Sequence, residues 1–147
     1  MGVLEVFAPL FGHWQGTEEL SASPWGPGGP ARAALEFRAE VGGAAMVNDY
    51  RQVRGDGTEL YGHGVFLVDD GLGVSWWLFD SYALPPTPAT GGWRDGELVL
   101  TRTSERERTQ HRFGLADGDL TYAIDVTLGA ADPAPFLRGR YRAVSAH

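Results

Sequence analysis

From Trp14 to Val144 apolar side chains recur at every second position in ten short runs, and this period of two is what most constrains the fold. The runs cover residues 14–23, 31–41, 44–54, 59–69, 73–80, 88–94, 97–104, 108–116, 119–128 and 136–144. Between them stand turn signals such as Gly26-Pro27-Gly28-Gly29-Pro30, Gly55-Asp56-Gly57, Asp95-Gly96 and Asp117-Gly118-Asp119. In the second run Ala33, Leu35, Phe37, Ala39 and Val41 alternate with Glu36, Arg38 and Glu40. In the ninth, Leu120, Tyr122, Ile124, Val126 and Leu128 alternate with Thr121, Asp125 and Thr127. Successive strand side chains point to opposite faces, so each run has one buried and one wet face.

Short links and no crossover helix imply an antiparallel meander. With about ten strands, a meander closes most simply into an up-and-down barrel, which removes the free edges; a sandwich is the alternative. Before Gly12 the period changes: Val3, Leu4, Val6, Phe7, Leu10 and Phe11 fit a short amphipathic helix that must pack on something. The expectation is an all-β, single-domain chain over residues 1–147 with a short N-terminal helix. At 147 residues it buries a sufficient core without a staple.

Composition removes several functions. The absence of cysteine excludes disulfides, thiolate metal sites and cysteine nucleophiles. Lysine is absent too, and the net charge of −7 disfavours nucleic acid and anionic lipid. Arg102, Arg106, Arg108 and Arg112 stand near Glu105 and Glu107, and read as a solvated mixed-charge strand pair. Residues 1–15 carry no basic residue and are broken by Glu5, Pro9 and Gly12, so neither a signal peptide nor a spanning helix is expected, and the location is read as cytoplasmic.

Gly12-His13-Trp14-Gln15-Gly16, directly after the helical segment, resembles the Gly-x-Trp signature of the calycins: lipocalins, fatty-acid-binding proteins and nitrobindins. Gly62-His63-Gly64 before Val68-Asp69, then Trp77-Leu78-Phe79-Asp80-Ser81, are similar to the spacing of an uncharacterised bacterial lipocalin-like family. The resemblance implies a barrel around a small apolar molecule, with Trp14 at the closed end under Arg140 or Arg142. Nitrobindin-like members hold haem through a histidine near the last strand. Here the run 136–144 has none and only the terminal His147 follows, so no cofactor and no metal are expected.

Inward polar residues are the informative ones, because a dry core has no use for them. With Gln110 and Arg112 facing water, Thr109, His111, Phe113 and Leu115 turn inward; with Asp49 and Arg51 outside, Met46, Asn48, Tyr50 and Gln52 turn inward. Tyr122 joins them, and Glu18 is a further candidate. His63 is read as facing out, and one of Trp76 and Trp77 must face in. The expected ligand-binding residues are Phe37, Asn48, Tyr50, Trp77, His111, Phe113 and Tyr122.

The leading function is binding of a small apolar or aromatic molecule in the barrel. The alternative is a cofactor-free isomerase or cyclase, with His111 as acid or base near neutrality and Tyr50 or Tyr122 as donor. A haem-binding protein and an interaction protein with a filled core rank behind. Asp80-Ser81 reads as a turn rather than part of a nucleophilic set with His111, since neighbouring strand side chains diverge. The partners expected are a small hydrophobic ligand, no nucleic acid and no membrane, with a homodimer left open.

Overall fold

The computed structural model describes residues 2–24, 26–83 and 86–145. Among them, α1 (Val3–Val6) and a 3-10 turn (Ala8–Leu10) precede ten strands: β1 (Gly12–Leu20), β2 (Gly29–Glu40), β3 (Ala45–Arg54), β4 (Glu59–Val68), β5 (Val74–Asp80), β6 (Ala89–Arg94), β7 (Glu97–Thr103), β8 (Glu107–Ala116), β9 (Asp119–Leu128) and β10 (Ala134–Val144). Each strand pairs antiparallel with its sequence neighbours, and β10 returns to β1 to close the barrel. This is the expected all-β fold, and closure removes the sandwich alternative.

One end of the barrel is sealed. Val3, Val6, Phe7 and Leu10 are buried in the same core as Trp14, Phe37, Met46, Phe66, Leu98, Phe113, Leu120 and Tyr141. The N-terminal segment is therefore the plug, and Trp93 Nε1 fastens it by donating to the Val6 carbonyl at 2.8 Å. It is one helical turn rather than a helix to residue 11, because Pro9 lacks the N–H that a longer helix needs.

Trp14 sits at this closed end as expected, but without an arginine. Its Nε1 donates to the Leu10 carbonyl at 2.9 Å. Arg140 and Arg142 pair in register with Thr17 and Gln15, on the outer face, and Arg140 binds Asp119 at 2.8 Å instead. Tyr141 takes the inward position opposite Gly16, where an added Cβ would lie 1.9 Å from the Arg140 carbonyl oxygen.

Alternation fails at strand ends. Ala39 is exposed and Val41 is 75% exposed in the β2–β3 turn, with a φ of 56° that a β-branched residue rarely adopts. Leu115 and Leu128, placed inward by parity, lie at the ends of β8 and β9 and are exposed. Among the described residues, no helix is long and apolar enough to cross a membrane.

Candidate functional site

The half of the barrel away from the plug encloses a cavity of about 180 Å³. Its apolar wall includes Leu35, Trp76, Leu78, Phe113, Tyr122 and Ile124; Asn48, Tyr50, Gln52, Arg54, Asp80, Arg102, Thr109 and His111 supply polar groups. Of the residues expected at the ligand, the structure brings together Asn48, Tyr50, His111, Phe113 and Tyr122. It does not bring Phe37, which is buried below the cavity in edge contact with Phe113 at 5.6 Å. Nor does it bring Trp77: Trp76 faces in, 2% exposed, and Trp77 faces out at 37%. The register explains this, since Trp76 lies opposite the inward Phe66 and Trp77 opposite the outward Val65.

The aromatic wall is continuous. Phe113 and Tyr122 stack at 4.3 Å with an interplanar angle of 1°, and Trp76 stacks on Phe66 at 5.1 Å and meets His111 edge-on at 4.9 Å. Gly64 faces Trp76 and Asn48; Trp76 Nε1 donates to Asn48 Oδ1 at 3.1 Å in the space a side chain would occupy. Gly62 faces the cavity itself, with Tyr50 and Leu78 at ordinary van der Waals distance from an added Cβ.

Glu18 organises one side. The carboxylate is buried and accepts from the Tyr50 hydroxyl at 2.6 Å, from Gln52 Nε2 at 2.7 Å and from the Tyr141 hydroxyl. Burial, then the nearby Glu18 carboxylate, pushes the Tyr50 and Tyr141 phenols well above their usual range. The Tyr50 proton is thus committed to Glu18, and the expected role of Tyr50 as donor to a ligand carbonyl does not fit.

His111 Nδ1 lies 2.7 Å from the Tyr122 hydroxyl, while Nε2 has no hydrogen bond to another described residue. Burial, helped by the charge of Arg102, pushes the imidazole down to about 3. His111 is therefore neutral near pH 7, which corrects its expected role as a group titrating near neutrality. The pair can present either an N–H or a lone pair to the cavity, depending on tautomer.

Sequence reasoning misses Arg102. Its neighbours in sequence group it with solvated arginines, but β7 alternates Leu98, Leu100, Arg102 on its inner face, and that parity is readable. His63 faces out, as expected, with Nδ1 2.7 Å from Asp49 Oδ1. Asp80 turns the chain by accepting from the Tyr82 N–H at 3.0 Å, and Ser81 Oγ accepts from the Tyr61 N–H at 2.8 Å. A larger groove of about 780 Å³ crosses the outer face beside His13, Glu36, Asp49 and His63. It is open to solvent and encloses nothing, so the interior cavity is the better candidate. His147 lies outside the described residues, and no cluster able to hold a metal ion occurs among those described.

The geometry defines a lipocalin-like ten-stranded barrel with an internal pocket. Solved structures agree on the fold. Rv2717c from M. tuberculosis superposes with a TM-score of 0.79 at 15% identity, covering 99% of each chain. The S-type phycobiliprotein lyase CPES from Guillardia theta superposes with a TM-score of 0.70 at 11% identity, covering 100% of this chain and 95% of its own. No protein-family model matches the sequence, and no curated protein matches it.

Proposed function

We propose that the protein binds a small apolar or aromatic molecule inside the open half of the barrel, between Trp76, Phe113 and Tyr122 and beside Asn48 and His111. The observation that carries this reading is the cavity of about 180 Å³ in an otherwise close-packed interior. An apolar cavity of roughly 150 Å³ stays dry and takes up benzene, so the space suits a ligand of about one ring. A few polar groups among aromatic walls fix a ligand's orientation.

Binding is favoured over catalysis because burial pushes His111 down to about 3, which makes it a weak base, and Tyr50 is tied to Glu18. The net charge of −7 supports a partner list without nucleic acid or membrane. The test is titration with an environment-sensitive apolar dye, expected to give one site per chain. Gly62→Ala adds a methyl group into the cavity at ordinary van der Waals distance from its neighbours, and should weaken the dye while leaving the melting temperature near wild type. Dye binding unchanged by that substitution would place the ligand elsewhere.

A further inference from the structure

Arg38, Arg54, Arg102 and Arg112 are the half-buried arginines among the described residues. Arg38 holds Glu40 and Asp49, Arg112 holds Asp125, and Arg54 donates to Gln52 Oε1 at 2.9 Å and to the Tyr82 hydroxyl at 3.2 Å. Arg102 has no hydrogen bond or ion pair to any described residue, although it lines the cavity and its charge is felt at His111. Among the described residues every buried side-chain nitrogen and oxygen has a partner, so the Arg102 guanidinium keeps its nitrogens on accessible space, uncommitted to any described group and free to meet a ligand.

Its position is beside the end of the β6 pairing. The β5–β6 pairing has only three positions, ending at Trp76 opposite Ala89, and the β6–β7 pairing ends at Thr90 opposite Thr101. Leu78 and Asp80 on β5 and Arg102 on β7 therefore have no β6 residue between them, and all three line the cavity. Tyr82, just beyond β5, lines the cavity with them, so Arg102 stands where the β6 pairing has ended and on the same cavity as the aromatic wall.

We propose that the ligand is a monocarboxylic acid of about one ring, bound as its anion, with the ring in the cavity and the carboxylate on Arg102. This rests on the cavity-binding reading above. The planar fork of an arginine matches a carboxylate in two parallel hydrogen bonds. Asp80 lines the same cavity, which disfavours a doubly charged phosphate more than a singly charged carboxylate. Size is set by the cavity, which holds a ring but no extended chain.

Calorimetric titration with benzoate and with benzyl alcohol, its neutral counterpart, tests this on wild type and Arg102→Met. Benzoate is expected to bind wild type more tightly than benzyl alcohol, and Arg102→Met to weaken benzoate by about tenfold or more, as for loss of a charged hydrogen-bond partner. Benzyl alcohol should be indifferent to the substitution. On wild type alone, the preference for benzoate over benzyl alcohol is already a readout, so the test stands even if the variant folds poorly. Equal binding of both probes to wild type, or benzoate binding insensitive to Arg102→Met, overturns the carboxylate assignment and leaves cavity binding intact. If neither probe nor the apolar dye binds, the cavity reading fails and this one with it.

Discussion

Trp76 Nε1 and Asn48 Oδ1 meet at 3.1 Å directly over Gly64, in a space where a Cβ on that glycine would lie 2.1 Å from both atoms. The glycine is thus required by a close approach of two side chains rather than by its backbone angles. Gly64→Ala should cost about 1–3 kcal/mol, the usual range for forcing a methyl group into a packed interior. Urea denaturation measures the loss, and an altered Trp76 environment should appear in near-ultraviolet circular dichroism. A neutral result would show that the indole can move aside freely.

Glu18 is the acceptor for three donors on two strands: Tyr50 and Gln52 from β3, and Tyr141 from β10, with Glu18 itself on β1. Replacing it with leucine leaves the Tyr50 and Tyr141 hydroxyls without their acceptor, each unsatisfied buried group costing about 1–3 kcal/mol, while Gln52 Nε2 keeps the Tyr50 oxygen at 2.8 Å. Glu18→Leu should therefore be among the most destabilising single changes, and Glu18→Gln milder. Ultraviolet titration offers a second check. Tyr50, Tyr122 and Tyr141 have raised pKa values, chiefly from burial, so three of the five tyrosines should resist ionisation in alkali until the barrel unfolds.

Trp14 ties the plug to the barrel through Leu10. Trp14→Ala should cost about 3–5 kcal/mol, the usual range for a buried large aromatic. Trp14→Phe keeps most of the packing but loses the bond to the Leu10 carbonyl, so its cost should be nearer about 1 kcal/mol. Thermal unfolding distinguishes the two. Wild-type stability in Trp14→Ala would contradict the plug as described.

The barrel is legible because alternation is a local signal: His111, Tyr122, Asn48 and Gln52 face in as the parity of their strands dictates. Where alternation lacks a charged neighbour to orient it, as at Trp76 and Trp77, the choice depends on register with β4, which is set by pairing across the sheet. Whether an inward residue meets the cavity or the packed core is a matter of depth along the barrel. Phe37 and Leu35 share a face of β2, yet only Leu35 reaches the cavity, because Phe37 lies two residues closer to the plug. The Glu18 network joins residues more than 30 positions apart in sequence, and no spacing announces it. The arginine expected over Trp14 does not follow from strand parity, which turns Arg140 and Arg142 outward on β10.

His111 should make stability depend on pH below neutrality. Its pKa has the ordinary histidine value of 6.5 when the chain is unfolded and is pushed down to about 3 in the barrel, first by burial and then by the charge of Arg102. Above pH 6.5 both states are neutral at this residue and it contributes no pH dependence. As pH falls from 6.5 towards 3 the unfolded state takes up a proton that the folded state refuses, so stability falls with a limiting slope of about 1.4 kcal/mol per pH unit. Carboxylates titrate over the lower part of that window, so the informative quantity is the difference between wild type and His111→Gln, whose side chain does not titrate. Chemical denaturation at half-unit steps from about pH 7.5 to about 4.5 should show the two proteins converging as the acid erodes the wild-type advantage, with the slope of the difference emerging below pH 6.5. Parallel curves across that range would mean that His111 is protonated as readily in the barrel as in the open chain, and that water reaches it more freely than its burial implies.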